Sequence, residues 1–77
     1  MALIRTFKRK DRDRYSVHEE IEASYTDFER DGRKFLQIDS YGRKSRQVPN
    51  KQSQSIQLDE RGARSLYKII KETFHFD

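Results

Sequence analysis

Seventy-seven residues, of which 32% are hydrophobic and 39% charged, make one small domain with a thin core. The absence of cysteine excludes disulfides and zinc sites of the cysteine type, and no apolar run approaches the ~20 residues of a membrane span. Seventeen Lys and Arg against thirteen Asp and Glu leave a net charge of +4, and a small core without staples leads us to expect a homodimer.

In chain order, residues 2–8, "ALIRTFK", read as a short strand. Their apolar part is too short for a secretory signal, so the expected location is cytoplasmic. Residues 9–14, "RKDRDR", mix signs and read as a solvated charged turn. From 15 to 25 the chain alternates. Tyr15, Val17, Ile21, Ala23 and Tyr25 share one parity, interrupted by Glu19, and Ser16, His18, Glu20, Glu22 and Ser24 share the other. Period two with one apolar face predicts a half-buried antiparallel strand.

Asp31-Gly32 is the strongest hairpin signal, because a type I′ turn wants positive φ at both central residues. A turn there pairs Arg30 with Arg33, Phe28 with Phe35, Asp27 with Leu36 and Tyr25 with Ile38. Ile21, Ala23 and Tyr25 then join Leu36 and Ile38 on the expected core face, and a slip of one residue would bury charges instead. The other face carries Thr26, Phe28, Arg30, Arg33, Phe35 and Gln37. Two aromatics directly across from each other on a polar face are either plain cross-strand packing or a contact surface for a base or a second subunit.

The third strand is expected from Lys34 to Tyr41. The fourth is "QSQSIQLD", with Gln54, Ile56 and Leu58 on one face and Ser53, Ser55 and Gln57 on the other. Asp59 is suited to cap a helix over 60–75, since its carboxylate can accept from a free amide of the first turn. Ala63, Leu66, Tyr67, Ile70 and Phe74 recur at three- and four-residue spacing as the buried stripe, and His75 falls in the last turn. The expected fold is α+β: a four-stranded antiparallel sheet in the order β-β-β-β-α, covered by one C-terminal helix. It forms a single domain over 1–77, with the sheet at 2–58, a basic hairpin loop at 41–52 and the helix at 60–75.

Charge is concentrated in that loop. No carboxylate lies between Asp39 and Asp59, whereas Arg43, Lys44, Arg46 and Lys51 do, so the loop alone accounts for the net charge of the chain. A localised field matters more than a modest total. Ser40, Tyr41, Ser45, Gln47 and Asn50 add hydrogen-bonding groups and a ring. Single-stranded nucleic acid calls for this combination: cations along the phosphates and rings against unpaired bases. Catalysis is not expected. Three Gly provide no phosphate-cradling pattern, and His18 beside Glu20 and Glu22 reads as an exposed strand face rather than a metal site. No cofactor, metal or small-molecule substrate is expected.

The stretch "SIQLDERGARSLYKII" resembles the closing strand and helix of the transcriptional positive-cofactor-four family and its small bacterial relatives. The matching positions are Ile56, Leu58, Asp59, Leu66 and Ile70, and the resemblance covers roughly residues 15–75. It implies a protomer that dimerises through its helix, with paired sheets forming grooves for single-stranded DNA. By position, Arg43, Lys44, Arg46 and Lys51 would contact the backbone, and Phe28, Phe35 or Tyr41 would stack. The combined expectation is a non-enzymatic binder of single-stranded nucleic acid, DNA first, in transcription, replication or repair. Its contacts are Arg43, Lys44, Arg46, Lys51, Arg30, Arg33, Phe28, Phe35 and Tyr41, and its dimer interface is Tyr67, Ile70 and Phe74. The alternative is a small protein-interaction module using the Phe28/Phe35 face.

Overall fold

The computed structural model describes residues 1–42 and 52–77, with side chains from residue 54 onward in the second stretch. Four strands and one helix follow in order: β1 (Ala2–Ile4), β2 (Ala23–Arg30), β3 (Arg33–Tyr41), β4 (Gln52–Leu58) and α1 (Glu60–Phe74). The coarse class is α+β, with one four-stranded sheet ordered β1-β4-β3-β2. The expectation of a fully antiparallel sheet is corrected, because β1 runs parallel to β4 while the other two pairs are antiparallel. β1 and β2 take opposite edges and run in the same direction. The 18 residues between them are the long connection that such an arrangement needs. No helix among the described residues is long and apolar enough to cross a membrane.

The hairpin follows the sequence closely. Asp31 and Gly32 have φ of 53° and 75°, as a type I′ turn requires. The register pairs Arg30 with Arg33, Phe28 with Phe35, Asp27 with Leu36 and Tyr25 with Ile38. A Cβ on Gly32 would meet no atom within 4 Å, so substitution there is penalised by backbone conformation alone. Gly32→Val should therefore lower stability by about 1–2 kcal/mol, the cost of a left-handed residue with a side chain. Unchanged thermal melting of that variant would contradict the turn.

Three boundaries differ from expectation. β1 stops at Ile4 rather than at residue 8, because its last pair, Ile4 with Leu58, coincides with the end of β4. β2 starts at Ala23 rather than 15. β3 ends at Tyr41, whose amide donates to the Glu22 carbonyl at 3.2 Å. Tyr15 and Val17 are consequently exposed, Val17 completely. The helix ends at Phe74, and His75 is its C-cap in the left-handed region (φ 58°) rather than part of the last turn. The amides of His75 and Phe76 both donate to the Lys71 carbonyl, which satisfies an otherwise free helix-end acceptor.

The helix start is the best-fixed part of the core. Asp59, in extended conformation, accepts from the Gly62 amide at 2.8 Å. Leu58 just before it is 2% exposed. Gly62 is buried, and a Cβ there would overlap the carbonyl oxygen of Ile4. The chain leaving β1 thus lies directly against the first turn of α1. The helix packs against β3 and β4, and Ala63 and Leu66 are half-buried. The rest of the expected stripe is not covered: Tyr67 and Phe74 are each 63% exposed and Ile70 39%. Tyr25, assigned to the core by parity, is exposed too, because β2 lies beyond the two strands on which the helix rests. Leu58 is the one buried large apolar side chain among the described residues.

Candidate nucleic-acid interface

The sheet face that excludes Leu36, Ile38, Ile56 and Leu58 carries Ser24, Thr26, Phe28 and Arg30 from β2. β3 adds Arg33, Phe35, Gln37, Asp39 and Tyr41, and β4 adds Ser55 and Gln57. Alternation along each strand puts them there. At the hairpin end, Phe28 and Phe35 are directly opposite and stacked, with ring centres 5.3 Å apart and planes at 20°. The Arg33 guanidinium sits 5.0 Å from the centre of the Phe35 ring, within range of a cation–π attraction. Both rings are half-buried, and Arg30 and Arg33 are exposed.

Arg30 and Arg33 are paired like charges, an arrangement that would repel. Relief for Arg33 comes from Asp59, whose Oδ2 lies 3.6 Å from its Nη2. The same Oδ2 accepts from Arg5 Nε at 2.8 Å. The Asp59 side chain is 8% exposed and holds three partners: the Gly62 amide, Arg5 and Arg33. Its carboxyl is held below the usual aspartate range, chiefly by the bond from Gly62 and further by Arg5 and Arg33, against the opposing effect of burial. A depressed folded pKa stabilises the fold above the unfolded value, about 3.9, and that contribution disappears as pH falls through the folded value. Wild type should accordingly lose melting temperature below about pH 4, and Asp59→Asn, which keeps a capping oxygen, should lose less over the same range. Equal acid sensitivity in melts from neutral to acidic pH would contradict this role.

Further along the face the side chains form a polar relay. Gln57 Nε2 donates to Gln37 Oε1 at 2.9 Å, and Gln37 Nε2 donates to both carboxylate oxygens of Asp39 at 3.1 and 3.3 Å. The hydroxyls of Ser24 and Tyr41 are 2.8 Å apart. Of the residues expected from sequence, the structure gathers Phe28, Phe35, Arg30 and Arg33 at the hairpin end. It leaves Tyr41 at the far end of β3, about 20 Å away at the rise of a strand. Arg43, Lys44, Arg46 and Lys51 lie outside the described residues. Arg5 and the carboxylate of Asp59 are the members that sequence reasoning missed: Asp59 was legible only as a cap, and no local pattern connects residues 54 apart. A groove lined by Arg5, Arg33, Lys34, Phe35, Asp59 and Arg61 joins the hairpin end to the helix start. Among the described residues no three His, Cys, Asp or Glu gather as a candidate metal site.

Comparison with protein-family models, with curated proteins and with solved structures finds no significant match. The resemblance to the positive-cofactor-four family rests on the residues quoted for it alone.

Proposed function

We propose that this chain binds single-stranded nucleic acid, DNA in the first instance, without catalysing a reaction, and serves transcription, replication or repair in the cytoplasm as a homodimer. The observation that carries the reading is the stacked Phe28–Phe35 pair with the Arg33 guanidinium beside it. Aromatic rings partly open to solvent offer stacking worth roughly 1–3 kcal/mol per base, and the neighbouring cations meet the phosphates. The neutral groups of Ser24, Thr26, Gln37 and Gln57 continue the face without repelling a polyanion, and the Asp39 carboxylate is occupied by Gln37. The cations Arg43, Lys44, Arg46 and Lys51 support the reading by sequence. Support for the homodimer comes from the uncovered Tyr67, Ile70 and Phe74.

Replacing Arg43, Lys44, Arg46 and Lys51 together by Gln should weaken binding to labelled single strands. The logarithmic salt slope should become shallower by up to ~0.7 per lost contact. Phe28→Ala and Phe35→Ala should weaken binding with little change of slope, because stacking releases no counterions. A quadruple variant that binds as wild type does would remove the basic segment from the reading. The rival protein-interaction module would show itself as an association that needs the two rings but hardly responds to salt.

A further inference from the structure

We propose that residues 8–14 form a second phosphate-binding element: a basic arm that takes up the strand where it leaves the Phe28–Phe35 pair. The inference rests on the nucleic-acid reading above and adds a region to it. Residues 5–14 hold Arg5, Lys8, Arg9, Lys10, Arg12 and Arg14 against Asp11 and Asp13. The signs are sorted by parity. Lys8, Lys10, Arg12 and Arg14 share one parity, and both acids fall on the other with Arg9.

Residues 8–14 contain no helix or strand and are exposed throughout. The free segment bends at Asp13; drawn out along a ligand, its alternate residues would project to the same side about 6.5–7 Å apart. That spacing is comparable with the step between phosphates in a stretched single strand. The one ion pair within the arm fits this sorting, since Arg9 Nη2 meets Asp11 Oδ1 at 3.0 Å across two residues of the same parity. Asp11 is therefore paired within its own parity rather than with the row. Among the described residues, the side chains of Lys8, Lys10, Arg12 and Arg14 make no hydrogen bond or ion pair.

The root of the arm is tied to the ring pair through Asp59. Arg5 shares the Asp59 Oδ2 atom with Arg33, Arg33 lies at Phe35, and Phe35 stacks on Phe28. Cations sorted by parity on a short exposed segment, with an aromatic pair near its root, suit a single strand better than a flat anionic surface.

The test replaces Lys8, Lys10, Arg12 and Arg14 by Gln in the full chain. Fluorescence titrations use oligothymidylates of about six and about twenty nucleotides, which bracket the site size of small single-strand binders. On the long strand the logarithmic salt slope should become shallower by up to about 2.8, which is up to about 50-fold less loss of affinity between about 50 and about 200 mM salt. On the short strand, filled by the ring site, the variant should match wild type. A control with Arg64, Lys68 and Lys71 replaced by Gln removes charge from the helix away from that groove and should leave both slopes unchanged. The arm is overturned if its variant matches wild type on the long strand while Phe28→Ala weakens binding, and also if the helix control lowers the slope as much. Wild type that binds neither strand overturns the nucleic-acid reading itself. Wild type that instead binds vesicles of anionic phospholipid would assign the arm to a membrane surface.

Discussion

Gly62→Ala should lower the melting temperature by about 8–30 °C. In an ordinary helix interior the same change would stabilise by up to about 1 kcal/mol, because Gly is the poorer helix former. Here the sign reverses, since the new methyl would overlap the Ile4 carbonyl oxygen and approach the Ile4 carbonyl carbon at 3.1 Å and the Arg5 Cα at 3.3 Å. All three are backbone atoms, so no rotamer change can make room. Either β1 leaves β4 or the first turn of α1 shifts and loses the Asp59 cap. A forced displacement of this kind costs on the order of 2–4 kcal/mol, and each kcal/mol is worth about 4–8 °C in a domain of this size. Amide exchange should show lost protection at the β1–β4 pairs. A variant that melts at or above the wild-type temperature would mean that the chain after β1 does not cross the helix start.

In the proposed homodimer, Ile70→Asp should favour monomer at micromolar concentration, weakening association by about 30- to 1,000-fold, the range of a central contact worth ~2–4 kcal/mol. In the isolated protomer Ile70 is already 39% exposed, and a surface substitution usually moves stability by no more than about 0.5 kcal/mol. A large effect must therefore come from apolar surface covered by a second copy, where an unpaired carboxylate is expensive. Sedimentation at several concentrations separates the outcomes. Wild type that sediments as a monomer, or an Ile70→Asp variant that sediments with wild type, would remove the helix stripe from any interface.

What could be read from sequence was local. The Asp31-Gly32 turn fixed its own dihedrals, and the two-residue period then fixed every pair of the β2–β3 ladder. Asp59 announced the helix start, and apolar residues at three- and four-residue spacing announced its extent. What could not be read depended on partners distant in the chain. "ALIRTFK" was legible as a strand, yet its direction and its end were set by where β4 stops. Residues 15–22 alternate as a strand should, yet β2 begins only at Ala23, and β3 ends at Tyr41, whose amide reaches back to the Glu22 carbonyl. The stripe on α1 was correctly periodic, but how much of it the sheet covers depends on which strands the helix meets. In the candidate interface, the ring pair and Arg33 followed from the register. The carboxylate that joins Arg33 to Arg5 did not, because only the folded topology brings residue 5 to residue 59.

The place of β1 at the edge beside β4 orders events in time. The hairpin of β2 and β3 closes through a two-residue turn, which for isolated hairpins takes on the order of microseconds. The contacts around β1 join residues 54 apart, and closing a loop of that length costs about 3–4 kcal/mol in chain entropy. β1 must also wait for the start of α1, whose Gly62 provides the surface it lies against. β1, which precedes the other three strands in the chain, is thus the last of them to be seated. Its three residues are too few to offer a long sticky edge to other chains in the meantime.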